Sequence, residues 1–123
     1  MQENEYEIER DVLRAYHGKR RRVVIPPQVR MISAGALRGN KRLRKVTIPK
    51  NVEIIGAEAF ADCKRLKKVV GGKRLKSVGK RAFANCRRLR KVCFATYVWD
   101  LAKDAFAESK HVVVEQPGVP YQG

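Results

Sequence analysis

Acidic residues are scarce in this chain. Its 123 residues include 12 Asp and Glu against 28 Lys and Arg, which gives a formal net charge of +16. Such a balance says nothing about the fold, but it favours anionic partners and nonspecific association with polyanions. Nucleic acid, acidic glycans, anionic lipid and the acidic faces of other proteins all fit that description.

Long hydrophobic runs are also missing. The longest uninterrupted apolar-to-neutral run, residues 92–99, falls far short of the roughly 20 residues that a membrane-spanning helix needs. The N-terminus, MQENEYEIERD, is acidic and has no apolar segment, so it does not resemble a secretory signal. The sequence as given therefore predicts a cytoplasmic protein, or a secreted or cell-surface protein if the chain is a piece of a longer one.

The three cysteines and two histidines lack the spacing of a metal centre, and the odd number of cysteines does not suggest a disulfide framework. Cys63 and Cys86 lie one repeat period apart with no histidine between them. A disulfide between these two is geometrically conceivable, although free thiols are expected in a reducing cytoplasm. The two histidines, His17 and His111, lie near opposite ends of the chain, and no serine has a partnered His and Asp in its sequence context. We therefore expect no cofactor, no metal and no enzymatic activity.

What the chain has in abundance is internal repetition. Residues 41–63, KRLRKVTIPKNVEIIGAEAFADC, are followed without insertion or deletion by residues 64–86, KRLKKVVGGKRLKSVGKRAFANC. A third copy, residues 87–109, degrades toward its end, and residues 18–40 form a fourth with Arg20 in place of the leading leucine. The period of 23 residues lies within the roughly 20 to 29 that is typical of leucine-rich repeats.

Within one repeat the apolar positions predict a strand, a bend and a short helical turn. Valine and isoleucine at positions 46 and 48 alternate inward along the strand, which Pro49 ends because it has no N–H to donate. The apolar side chains that follow Ile55 are spaced to share one face of a short helix. The predicted inward set of this copy is Leu43, Val46, Ile48, Val52, Ile55, Ala59, Phe60 and Cys63.

Stacking the repeats pairs the strands in parallel and collects Phe60, Phe83 and Phe106 in one interior column, with Leu37 as its first member. The fold class that follows is α/β, a leucine-rich-repeat solenoid of about four 23-residue repeats with short parallel strands and short helical turns. A right-handed coil is expected, because crossovers between parallel strands are right-handed in nearly all cases.

We expect one domain, residues 1–123, capped at both ends. Residues 1–18 are predicted to form an N-terminal β-hairpin cap, residues 19–109 the repeats, and residues 110–123 a C-terminal cap. In the last of these, residues 112–114 suit a final strand. Pro117 and Pro120 would stop further pairing.

The pattern L-x-x-V-x-I-P-x-x-V-x-x-I-G-x-x-A-F-x-x-C, complete from Leu43 to Cys63, resembles the BspA-like, or Treponema-type, class of leucine-rich repeats. The opening E-I-x-x-x-V-L-x-x-Y and the closing V-V-V-E-Q-P-G are similar to the ends of such domains. This resemblance implies a solenoid without a cofactor and a role in bacterial surface adhesion or protein–protein contact. Gly71 and Gly72 stand where the pattern has Ile-Pro, which predicts a loosened strand edge or, as a minority alternative, a site where the backbone of a ligand approaches closely.

Four basic pentads recur at one repeat phase. GKRRR (18–22), KRLRK (41–45), KRLKK (64–68) and RRLRK (87–91) together hold sixteen of the 28 Lys and Arg. Parallel stacking predicts two files of like charge, with members about 4.8 Å apart. The predicted binding residues are Arg21, Arg44, Lys67 and Arg90 in the first file and Arg22, Lys45, Lys68 and Lys91 in the second.

Two interpretations of these files remain open. In one, long side chains splay into solvent and prevent aggregation, as in a structural repeat fragment of a larger bacterial surface or adhesion protein. In the other, the basic strand-side face of a non-catalytic module binds an acidic protein or a polyanion: a glycan, a cell-wall polymer or a nucleic-acid backbone without sequence specificity. Tyr97 and Trp99 are candidate aromatic contacts, although packing against the C-terminal cap is the interpretation that we prefer.

Overall fold

The chain is a solenoid of short strands, and a computed structural model describes its residues 5–118. Each circuit contributes one strand to a first sheet and a shorter, two-residue strand to a second sheet. The described strands are β1 (Tyr6–Glu9), β2 (Val12–Tyr16), β3 (Arg22–Val24), β4 (Met31–Ile32), β5 (Lys45–Ile48), β6 (Ile54–Ile55), β7 (Lys68–Gly71), β8 (Ser77–Val78), β9 (Lys91–Phe94), β10 (Asp100–Leu101) and β11 (Val113–Glu115).

Both sheets extend along the length of the solenoid. The first has the order β11-β9-β7-β5-β3, and the second has the order β1-β2-β4-β6-β8-β10. All neighbours pair in parallel except β1 and β2, which form an antiparallel hairpin. The register follows the sequence period: Val46 pairs with Val69, and Val69 with Val92. Each side chain therefore lies beside its own equivalent in the next coil.

The interior confirms the predicted inward set, whose eight members are all at most 2% exposed. Phe60 and Phe83 stack with ring centroids 5.0 Å apart, and Phe83 and Phe106 follow at 5.3 Å. Leu37 is buried at the start of the same core. Each such side chain contributes roughly 1.5–3 kcal/mol by leaving water, so the repeated apolar positions account for most of the stabilisation.

The predicted helical turn is wrong, since residues 5–118 contain no helix. Within residues 56–63, alternate N–H groups close turns inside the coil, as Ala59 N–H does by donating to the Gly56 carbonyl at 3.2 Å. The intervening N–H groups donate to the next coil, as Phe60 N–H does to the Ala82 carbonyl at 2.7 Å. The N–H groups of a helix point along its own axis, so a helix here would form no backbone hydrogen bonds with the neighbouring coils.

Left-handed residues make this alternation possible. Glu58 and Asp62 have φ values of 57° and 62°, which is the backbone conformation that closes a turn of the type II kind. The equivalent residues of the first copy are Gly35 and Gly39, with φ values of 68° and 73°. The described chain is therefore all β, with about five turns of solenoid where the sequence predicted an α/β fold of about four repeats.

Buried hydrogen-bond donors also recur along the solenoid. The Cys63 thiol donates to the Leu37 carbonyl at 3.1 Å, and the equivalent Cys86 thiol donates to the Phe60 carbonyl at 3.2 Å. Ser109 continues the series by donating its hydroxyl to a carbonyl of the coil before it. Burial raises the pKa of both thiols to about 12, so they stay protonated as donors at neutral pH. Both cysteines are free thiols.

The two ends of the solenoid differ. The β1–β2 hairpin lies where the sequence predicts one, and Tyr16 at its end is 5% exposed. At the other end β11 covers residues 113–115, one residue later than the predicted 112–114. Residues 1–4 and 119–123, which include Pro120 and the outer parts of both predicted caps, lie outside the described residues.

The backbone of the preceding coil lies close to Gly71, and the strand pairing continues through this residue, which lies opposite Ile48 and Phe94. The predicted loosening of this strand edge and the alternative, close approach of a ligand backbone, stay predictions. Gly71 has a φ of 109°, and a Cβ atom built there would lie 2.2 Å from the Ile48 carbonyl oxygen. The next residue, Gly72, donates its N–H to that same oxygen at 3.0 Å, a bond that the proline of the preceding copy has no N–H to make.

We expect Gly71→Ala to lower the free energy of unfolding by about 3 kcal/mol, because it adds a clash to an unfavourable φ. Gly39→Ala is the matched control. Gly39 has a φ of 73°, and a Cβ atom added there would meet nothing within 4 Å, so only the backbone cost of about 1 kcal/mol applies. Urea unfolding of the two variants checks the difference, and equal losses would contradict it.

Candidate functional site

The two predicted files of basic residues lie in register. Arg22 pairs with Lys45 in the first sheet, Lys45 with Lys68, and Lys68 with Lys91. Each residue of the first file directly precedes a residue of the second file, and backbone hydrogen bonds join the first file from coil to coil. Arg44 N–H donates to the Arg21 carbonyl at 2.7 Å. The same bond recurs between Lys67 and Arg44 at 2.7 Å and between Arg90 and Lys67 at 3.0 Å.

Short side chains border the second file. Two residues after each second-file residue, on the same outward face of the sheet, lies a row of side chains that pair across the strands: Val24, Thr47, Val70 and Cys93. Val24 is 66% exposed, whereas the other three are partly covered. None of these four side chains is long or aromatic, so they neither screen the charged groups nor offer a surface for base stacking. The row continues into β11, where Glu115 pairs with Cys93 and its Oε1 lies 3.6 Å from Lys91 Nζ.

The acidic side chains are sorted away from the pentads. Within residues 5–118, only two of the sixteen pentad cations lie within 4.0 Å of a carboxylate, Arg20 beside Glu5 and Lys91 beside Glu115. Five of the twelve Lys and Arg outside the pentads have such a partner in the same part of the chain. Those five are Arg14, Arg30, Arg38, Lys76 and Arg81.

This sorting leaves like charges facing one another. At the strand spacing of about 4.8 Å, two unit charges repel by about 0.9 kcal/mol in water before salt screens them. Carboxylates placed between the files would remove that repulsion, and the chain uses its carboxylates elsewhere. We therefore expect the second file to lower the stability of the sheet that carries it.

A cleft of about 420 Å³ opens beside the first file, and all six side chains that line it are cationic. Asn40 fixes the backbone at its edge, because its Oδ1 accepts the N–H groups of Arg42 and Leu43 at 2.9 and 3.0 Å. Four lining residues were absent from the predicted binding set. The lining residues are Arg21, Lys41, Arg42, Arg44, Lys64 and Arg65.

The predicted aromatic pair is present but lies apart from the strands that carry the files. Tyr97 and Trp99 pack edge to face with ring centroids 4.9 Å apart, and Trp99 is 60% exposed. Between them Val98 is buried, and its N–H donates to the Gln116 side chain at 3.0 Å. This segment is thus tied to the C-terminal residues, and a role of its rings in binding stays a prediction.

The two histidines are exposed residues near opposite ends of the described part of the chain. His17 contacts Glu7 at the exposed N-terminal hairpin, and His111 lies exposed near the other end. Among residues 5–118 no three His, Cys, Asp or Glu side chains gather closely enough to hold a metal ion. The same residues contain no helix that is long and apolar enough to cross a membrane.

Comparisons with known proteins agree with this architecture. A family model described as "BspA type Leucine rich repeat region (6 copies)" matches residues 13–117. Among solved structures, a leucine-rich repeat protein from Bacteroides capillosus is 25% identical with a TM-score of 0.74, and the match covers 89% of this chain and 92% of that one. No curated protein matches the chain.

Longer structures match as well. A leucine-rich repeat protein from Eubacterium ventriosum is 24% identical with a TM-score of 0.79, and the match covers 89% of this chain but 30% of that one. A leucine rich cell surface protein from Faecalibacterium prausnitzii is 18% identical with a TM-score of 0.59, and the match covers 88% of this chain and 35% of that one. The chain therefore spans about a third of either of these two proteins.

We expect Lys68→Glu to stabilise the protein by about 1 kcal/mol, because it turns two repulsive cross-strand pairs into attractive ones. The melting temperature should rise by about 4 °C at low salt, and the gain should shrink in 0.5 M NaCl. Lys50→Glu, an equal charge change on an exposed residue outside the pentads, should shift stability by less than about 0.5 kcal/mol. Equal shifts in the two variants would contradict the cross-strand origin of the repulsion.

Proposed function

The chain belongs to the BspA-type leucine-rich repeat family, and we propose that it is a non-catalytic binding module whose basic strand-side face binds an acidic protein or a polyanionic polymer. The binding residues in this proposal are the two files, Arg21, Arg44, Lys67 and Arg90 with Arg22, Lys45, Lys68 and Lys91.

The observation that carries this proposal is the sorting of charge. A surface that needs only to stay soluble is served by mixed signs, which avoid repulsion. Here fourteen pentad cations lack a carboxylate partner among residues 5–118, while Arg38, Lys76 and Arg81 on other parts of the solenoid have one. Repulsion that is retained at the same phase of four repeats is explained by a ligand whose negative charge offsets it.

The chemistry of the face favours charge recognition over recognition of sequence. The files are made of long cationic side chains on a shallow sheet surface, and the neighbouring row has no aromatic residue for stacking. Binding of this kind releases counterions from the polyanion, so affinity falls steeply as salt rises. A nucleic-acid backbone, an acidic glycan and an acidic protein surface all fit this mode.

A second candidate function is that of a structural repeat segment within a larger bacterial surface protein. Two solved relatives are about three times as long as the matched region, and one of them is described as a cell surface protein. In this alternative the cations serve solvation only. A cell-surface location goes with this candidate.

The test is retention on heparin across a salt gradient. Reversal of six file residues should abolish the steep salt-dependent retention, because it removes the cations that release counterions. The variant carries glutamate in place of Arg44, Lys45, Lys67, Lys68, Arg90 and Lys91.

A matched control reverses six exposed cations outside the pentads and lowers the net charge equally. It carries glutamate in place of Lys50, Lys73, Arg74, Lys80, Lys103 and Lys110. We expect the control to keep most of the retention of the unmodified chain. Equal losses in the two variants would show that net charge alone is responsible and would favour the structural alternative.

A further inference from the structure

We infer that the cationic cleft beside the first file is a binding site for tetrahedral oxyanions, the sulfate or phosphate groups of an anionic polymer. This inference rests on the proposed function and assigns it a specific ligand group and a specific place. The cleft encloses about 420 Å³, and its six lining side chains are all Lys or Arg.

Three successive coils supply the lining residues. Arg21 comes from the first pentad, Lys41, Arg42 and Arg44 come from the second, and Arg65 comes with Lys64 from the third. Their side chains therefore reach an occupant from three successive levels of the solenoid. A carboxylate holds its two oxygens in one plane, whereas the oxygens of a sulfate or phosphate group, three free ones on a sulfate ester and two on a bridging phosphate, are arranged tetrahedrally around the central atom. The second shape can accept hydrogen bonds from several coils at once.

Arginine side chains bind such an oxyanion in a preferred orientation. The guanidinium group is a planar fork that binds a pair of oxygens through two parallel hydrogen bonds, whereas a lysine ammonium acts as a point charge. Arg21, Arg42, Arg44 and Arg65 are four of the six lining residues. The backbone that carries Arg42 is held by its hydrogen bond to Asn40 and by the adjacent Leu43, which is fully buried.

A second cleft shows that the arrangement recurs along the solenoid. It encloses about 370 Å³ and is lined by Lys67, Arg88 and Arg90, which are the later equivalents of cleft-lining residues in earlier coils. The two clefts use different members of the first file, two coils apart, which corresponds to about 10 Å at the strand spacing. Two such sites in a row suit a polymer that carries several oxyanions better than a single small anion.

The cleft and the second file can be separated by matched variants. Lys41→Gln with Lys64→Gln removes two cleft lysines, and Lys45→Gln with Lys68→Gln removes two lysines from the second file of the same two coils. Net charge, residue type and coil are identical in these two double variants. A third variant, Arg42→Lys with Arg65→Lys, keeps the charge of the cleft and removes two guanidinium forks.

Binding is measured by titrating the full chain with heparin as the sulfate probe, inorganic polyphosphate as the phosphate probe and polyglutamate as the carboxylate probe. We expect the unmodified chain to bind heparin or polyphosphate at least tenfold more tightly than polyglutamate of equal charge. The cleft lysine variant and the Arg→Lys variant should each weaken oxyanion binding about tenfold. The second-file variant should weaken it by about threefold, because these lysines contribute charge to the basic face but do not line the cleft.

The outcomes separate this inference from the function on which it rests. A preference between heparin and polyphosphate identifies the source of the oxyanion. Equal losses in the two lysine variants, or equal affinity for polyglutamate, would overturn the cleft while leaving the basic face as a polyanion site. Absence of binding to all three probes would overturn the proposed function and the cleft together. Thermal unfolding of each variant shows that the compared proteins are folded.

Discussion

In-register stacking of equivalent residues is the constraint on which the rest of this structure depends. Because the period is constant and the strands pair in parallel, the neighbour of each side chain is its own equivalent in the next coil. For apolar positions this is favourable, as the stacked rings of Phe60 and Phe83 show. For charged positions it is unfavourable, since it places Lys45 beside Lys68 and Lys68 beside Lys91.

The same constraint determines how much could be predicted from the sequence. Burial dictates the inward positions directly, so the eight inward residues of one repeat and the register of both basic files follow from the period alone. The turn segment could not be read from apolar spacing, because the spacing after Ile55 fits a helix and a run of turns equally well. The positive φ values of Glu58 and Asp62 show that the segment forms turns. Only the first copy signals this in its sequence, because it has Gly35 and Gly39 at the equivalent positions.

The cleft was missed for a related reason. The position of a residue within its repeat shows which residues are its neighbours along the solenoid, and it correctly predicts that Arg44 lies beside Arg21. It does not show how side chains from different phases converge, as Arg42 and Arg65 converge with Arg44 across the buried leucine column. Clusters of this kind depend on side-chain directions in three successive coils, which a linear pattern does not contain.

Under the proposed function, stability and binding make opposite demands on the basic face. The core needs its repeated apolar residues, and no property of the solenoid needs four repeated pentads. A ligand that brings negative charge would offset the repulsion between Lys45, Lys68 and their neighbours, which couples binding to folding stability.

The most direct test of this account is an NMR titration of the 14.0 kDa chain with a heparin-derived tetrasaccharide. The account predicts shifts of backbone amides in residues 41–45, 64–68 and 87–91, with little change in the second-sheet strands at residues 54–55 and 77–78. Unchanged spectra, or shifts centred on the second sheet, would contradict it.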